Sequence, residues 1–232
     1  MQNRKFPAFK NFTNKSNKKP QKKVEVIKQS LIIVDVQNDF VNPSGALYVN
    51  GSESVIPAII DYVEKNKDKI NQIIFTRDWH TKKDESFEKN GGEWPVHCVQ
   101  NTEGAEIDKT LYLELLKTRI PLFVVNKGTV ADHEEYGAFE HCGTFHHLHP
   151  NIDPVITNCY FSNCESSSGT RILNNDIVIC GVAGDYCVKE TINNLMKHWK
   201  KFNISVLMNG VASIDDGTIL NEFIEEHNLK TI

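Results

Sequence analysis

Four strand-like apolar runs in this sequence lead into residue types that can do chemistry. Asp35 lies near the end of "SLIIVDV", Asp78 closes "QIIFTRD", Lys127 closes "PLFVVNK", and Cys187 follows "DIVICGV" across the small turn "AGDY". A thiol where a helix begins meets free backbone N–H groups and the positive end of the macrodipole, which lower its pKa and can hold an oxyanion. Such a nucleophile also needs a base. No His stands at a strand end suited to that duty, so Asp35 and Lys127 are the alternative. The carboxylate would take the thiol proton and return it to a leaving amine, and the ammonium would stabilise the thiolate. Taken singly, Asp35 reads equally well as a turn acid, Lys127 before Gly128 as a turn-end lysine, and Cys187 as a packed helix-start cysteine. Their shared placement favours chemistry.

A second constellation lies in "TRDWHTKKDESF". Asp78 and His80 can present an oxygen and an imidazole to one ion, and His97 in "WPVHC" offers a third ligand. Three protein ligands leave coordination positions open, the habit of a working metal. Cys98 beside His97 is set aside, because neighbouring side chains seldom converge. The densest histidine group, His141, His146, His147 and His149 with Cys142, Cys159 and Cys164 nearby, has neither a CxxC pair nor an HxxxH helix and reads as polar loop.

The elements that must position these residues follow from the hydrophobic pattern. The runs from Ser30, Gln72, Pro121, Asp176 and Ile204 are short, β-branched and non-alternating, as in strands buried on both faces of a parallel sheet. Helical spacing occupies residues 53 to 68 (Val55, Ile59, Val63), residues 188 to 199 (Ile192, Leu195, Met196) and "LNEFIEEHNL" near the end. Strands alternating with helices predict an α/β fold, a three-layer α/β/α sandwich with a mostly parallel central sheet and chemistry at the strands' carboxyl ends. Residues 141–176, rich in Ser, Asn and His, read as a polar loop or insertion.

Bulk properties bound the function. With 40% hydrophobic residues the chain can bury one sizeable core. No apolar run reaches the roughly 18 residues of a membrane span, and no secretory h-region opens the chain, so a cytoplasmic protein is expected, with nuclear presence left open. Residues 1–23 carry eight Lys or Arg and no acid, leaving 18 basic against 30 acidic residues, a net of -12 for the remainder. That acidity argues against nucleic acid as a partner of the domain. The organisation expected is a basic, disordered leader over 1–25 and a single domain over 26–232. Six cysteines without a secretory signal are expected to stay reduced.

The chain resembles the nicotinamidases (pyrazinamidases) of the isochorismatase-like cysteine hydrolases. The resemblance rests on "LIIVDVQNDFVNPSGALYVNGSESVIPAI", "FTRDWHTKKDESF", "WPVHCVQNTEGAEI", "NKGT" and "GVAGDYCVKETINN", which stand in the family's order. It implies Cys187 as nucleophile, Asp35 as proton acceptor and donor, and Lys127 as third member of the triad. Asp78, His80 and His97 would hold one divalent metal, zinc first with iron or manganese as alternatives, and Ser86 would assist through water. The N–H groups of Ala183 and Cys187 would form an oxyanion hole beside a cis peptide between Val182 and Ala183. Phe40 and Trp94 would flank a pyridine ring, with Tyr136 lining the same pocket. The implied reaction is hydrolysis of nicotinamide, a small-molecule substrate, to nicotinic acid and ammonia in NAD salvage.

One departure stands out. Many relatives carry another His after the DxH pair, where this chain has Lys83, Asp84 and Glu85. Alternatives are a C–N hydrolase acting on an N-carbamoyl or ureido substrate, and a non-catalytic binding relative. The filled triad argues against the second. Assembly into a homo-oligomer is left open.

Overall fold

The structure is a computed structural model that describes residues 26–139, 144–148, 156–158, 172–198 and 201–232. The leader and most of the segment that includes the histidine-rich stretch lie outside the described residues. In chain order the strands are β1 (Gln29–Val34), β2 (Ile70–Asp78), β3 (Leu122–Lys127), β4 (Thr144–Leu148), β5 (Ile156–Asn158), β6 (Asp176–Gly181), β7 (Asn203–Val211) and β8 (Lys230–Thr231). The helices are α1 (Asn38–Val41), α2 (Val55–Asn66), α3 (Lys109–Lys117), α4 (Lys189–His198) and α5 (Thr218–Glu226). All eight strands join one sheet in the order β5-β4-β3-β2-β1-β6-β7-β8. Pairing is parallel from β3 through β8 and antiparallel at the β3–β4 and β4–β5 edge. The expected mostly parallel sheet is what forms.

The reason the central runs lack alternation is visible in where each residue goes. Leu31 and Ile33 of β1 pack on one side with Phe75, Val124, Val178 and Cys180, against Val55, Ile59 and Val63 of α2 and Leu111 and Leu115 of α3. Ile32 and Val34 point the other way, to Ile74, Val125 and Ile179, against Ile192 and Leu195 of α4 and Leu220 and Ile224 of α5. Successive side chains of a strand point to opposite faces, so two buried faces require apolar residues at every step. Each such side chain contributes roughly 1.5–3 kcal/mol when removed from water.

From β1 the chain moves one way through α2 and α3, and from β6 the other way through α4 and α5. Helices of the two halves cover opposite faces, so β1 and β6 flank the point where the winding reverses, which opens a crevice at their carboxyl ends. Two strands, β4 and β5, arise inside the stretch expected to be loop. Among the described residues no helix is long and apolar enough to cross a membrane.

Candidate active site

Asp35, Asp78 and Lys127 come from the carboxyl ends of β1, β2 and β3, and Cys187 from the turn after β6, four strands that lie side by side. Asp35 leaves β1 in the left-handed region, φ 48°, which Asp tolerates better than most residues. Its Oδ1 accepts from Thr76 Oγ1 at 2.6 Å, and its Oδ2 lies 2.8 Å from Lys127 Nζ as an ion pair. Lys127 also donates to Asp78 Oδ1 and reaches Cys187 Sγ at 3.6 Å. An ammonium 1% exposed thus touches two carboxylates and a thiol.

Charge is distributed unevenly over this set. Burial alone would push the Lys127 ammonium down, but Asp35 and Asp78 outweigh it and hold its pKa well above the ordinary value. Burial likewise opposes the Asp78 carboxylate, yet Lys127 and His80 keep it well below the usual range. For Asp35 burial prevails over the attraction of Lys127, so its pKa is raised. Burial also pushes the Cys187 thiol well up, more than Lys127 lowers it. The expected lowering of that thiol by the helix start is not found, because the sulfur is desolvated between two acids. A buried thiol held protonated needs a base, and Asp35 stands beside it: one oxygen of Asp35, one of Asp78 and the sulfur lie within 4.8 Å of one another.

The backbone before Cys187 is shaped by Gly181, whose φ of 120° and approach to Val34 exclude a side chain: a Cβ would meet Val34 O at 2.0 Å. The Val182–Ala183 peptide is cis. A single π-helical turn, Gly184–Val188, then leads into α4. Tyr186 and Val188 N–H donate to Ala183 O, and Gly184 N–H to Ala212 O.

Asp78, His80 and His97 converge as expected, each offering one ligand atom within 4.8 Å of the others. His80 follows β2 and pairs with the 98–100 segment, donating its N–H to Cys98 O and accepting from Gln100 N–H, which sets His97 beside it. His80 Nε2 lies 3.7 Å, and His97 Nε2 3.9 Å, from Asp78 Oδ2. His97 Nδ1 donates to Pro95 O at 2.8 Å, so its other nitrogen is free to ligate when the ring is neutral. Burial disfavours the His80 cation, but Asp78 and Asp84 raise its pKa to about 9. Among the described residues, Ser86 Oγ is buried with no hydrogen-bond partner. Two imidazoles and a carboxylate are a donor set that fits a divalent cation.

Between the two groups lies a pocket of about 390 Å³, open mouth included, lined by Phe40, Trp94, Tyr136, Ala183 and Cys187 among others. Trp94 Nε1 donates to Tyr136 Oη at 3.0 Å. The sequence reading missed Tyr186, whose ring stands edge-on to Trp94 at 5.2 Å, and Glu134, which burial raises above the usual carboxylate range. Position next to Cys187 was the available signal for Tyr186; Glu134 offered none.

A parallel α/β sheet with thiol, carboxylate and ammonium at adjoining strand ends, beside a cation seat, defines a metal-assisted cysteine hydrolase. Residues 29–129 match the isochorismatase domain. The pyrazinamidase of Pyrococcus horikoshii, solved in complex with zinc, is 31% identical, with 88% of this chain and 98% of that one covered and a TM-score of 0.65. The nicotinamidase of Saccharomyces cerevisiae is 29% identical over 88% of this chain and 99% of its own length. The yeast nicotinamidase bound to the inhibitor nicotinaldehyde superposes with a TM-score of 0.67 at 28% identity, covering 88% and 99%. The chain belongs to the isochorismatase-like hydrolases, and these relatives within the family are nicotinamidases and pyrazinamidases.

Proposed function

We propose that the chain is a cytoplasmic nicotinamidase that converts nicotinamide to nicotinic acid and ammonia in NAD salvage, and that residues 26–232 act as one domain behind a basic leader. The observation that carries the reading is Lys127, which joins Asp35, Asp78 and Cys187 in one buried cluster at the floor of an aromatic pocket. Relatives with the same fold are named nicotinamidases, and one of them holds nicotinaldehyde, an aldehyde of the proposed substrate's shape.

In the proposed reaction Phe40 and Trp94 flank the pyridine ring, with Tyr136 beside it, and fix the carboxamide over the sulfur. Asp35 takes the Cys187 proton as Sγ attacks the carboxamide carbon, and its raised pKa makes it a better base than an ordinary aspartate. Lys127 offsets the negative charge that builds on sulfur and carboxylate. The N–H groups of Ala183 and Cys187 receive the oxyanion. Asp35 then gives its proton to the departing nitrogen, ammonia leaves, and a thioester remains. Water, deprotonated by Asp35, attacks that carbon; nicotinic acid leaves and the thiol recovers its proton. Asp78, His80 and His97, with Ser86 through water, would hold a divalent cation, zinc by this reading, that supplies a Lewis-acid seat for the ring nitrogen.

Ammonia release from nicotinamide by the purified protein tests the reading. The Cys187→Ala variant is expected to lose at least a thousandfold in kcat while keeping its thermal midpoint. Comparable turnover by the variant would sink the mechanism, and release from an N-carbamoyl compound in preference to nicotinamide would replace the substrate.

A further inference from the structure

Asp84 takes no part in the proposed chemistry, yet it is completely buried against the cation seat. Its Oδ2 lies 3.0 Å from His80 Nδ1, and its Oδ1 accepts from Ser86 N–H at 3.1 Å. Its backbone is fixed as well: Asp84 N–H donates to Thr81 O at 3.2 Å, and Asn90 Nδ2 donates to Asp84 O at 2.6 Å. We propose that Asp84 is a positioning residue that holds His80 with its Nε2 lone pair aimed at the cation seat.

The argument is one of donors and acceptors. A carboxylate oxygen accepts, so the nitrogen facing it carries the proton. A neutral imidazole has a single N–H, which leaves Nε2 as the ligand atom, on the side of Asp78. Packing cannot make that choice. Phe87, its ring centroid 5.4 Å from that of His80, and Gly128, where a Cβ would stand 2.6 Å from His80 Cε1, restrict where the ring lies. They do not select which nitrogen is protonated. For His97 the same duty falls to a backbone carbonyl, Pro95 O, which no substitution removes. Asp84 is therefore the side chain through which the seat can be altered without touching a ligand. Outer carboxylates of this kind are typically worth about 10- to 100-fold in metal affinity.

The inference rests on the metal-site reading above, and the test separates the two. Zinc is titrated into metal-free protein against a chromophoric chelator, and ¹⁵N spectra of histidine-labelled, zinc-loaded protein report which ring nitrogen is bound. Wild type is expected to bind through His80 Nε2 with a protected Nδ1–H. Asp84→Ala is expected to bind zinc about 10- to 100-fold more weakly, with His80 losing its single coordinating nitrogen and His97 keeping its own. Unchanged affinity in folded Asp84→Ala, or equal loosening of both histidines, would overturn the inference. Should the variant fail to fold, the wild-type spectrum decides: coordination through His80 Nδ1 refutes the role of Asp84, and coordination through Nε2 supports it. Failure of the wild type to take up zinc would remove the metal site itself, a different outcome from equal binding by the two proteins.

Discussion

At the residue scale the site turns on two acids that share one ammonium. Lys127 keeps Asp78 ionised, whereas burial outweighs it at Asp35 and raises that pKa, which in the proposed reaction separates a fixed ligand from a proton carrier. The proposed reaction requires the base form of Asp35, so kcat/KM should fall as pH drops through a pKa above the usual carboxylate range. Asp35→Asn should remove that acidic limb and lower kcat by about 10²–10⁴-fold, as loss of a general base does; a pH profile of ammonia release checks both. Asp35, Lys127, Asp78 and Cys187 could be read from sequence because each follows an apolar run, and the ends of buried parallel strands converge. The pKa of Cys187 could not, since its desolvation depends on Asp35 and Asp78 arriving from other strands. Tyr186 and Glu134 escaped for a similar reason: an aromatic beside a turn and an acid in a loop acquire meaning only from what faces them.

At the scale of elements, the same physics explains which pieces were legible. Helices α2, α4 and α5 declare themselves by an apolar stripe, and all three form where the spacing put them. Strands β4 and β5 carry polar, histidine-rich sequence and owe their existence to the free edge of β3, which offers backbone partners that local sequence does not advertise. Helix α3 is capped by Asp108, whose side chain accepts from Leu111 N–H at 2.8 Å, and it buries Leu111 completely. Leu111→Ala should cost about 2–5 kcal/mol of stability, whereas Asp108→Ala, which loses only a cap, should cost about 1 kcal/mol. Urea unfolding of the two variants would measure the difference; equal losses would contradict the packing described for this face.

At the scale of the molecule, the proposed cation seat would tie ligand binding to stability, because Asp78, His80 and His97 come together only in the folded chain. Added zinc at 100 times its dissociation constant should stabilise the protein by about 2.7 kcal/mol, seen as a raised thermal midpoint that exhaustive chelation reverses. A midpoint indifferent to zinc would remove Asp78, His80 and His97 from the account. The strand-end placement of the active residues carries a further consequence, in time rather than space. Lys127 meets Asp78 across 49 residues of chain and Cys187 across 60, so no local segment holds Asp35, Lys127 and Cys187 together. Such long-range pairings close slowly. During refolding from denaturant, ammonia release should therefore reappear only with the slowest tertiary phase, after the helical signal has returned, making activity a clock for the docking of the four central strands.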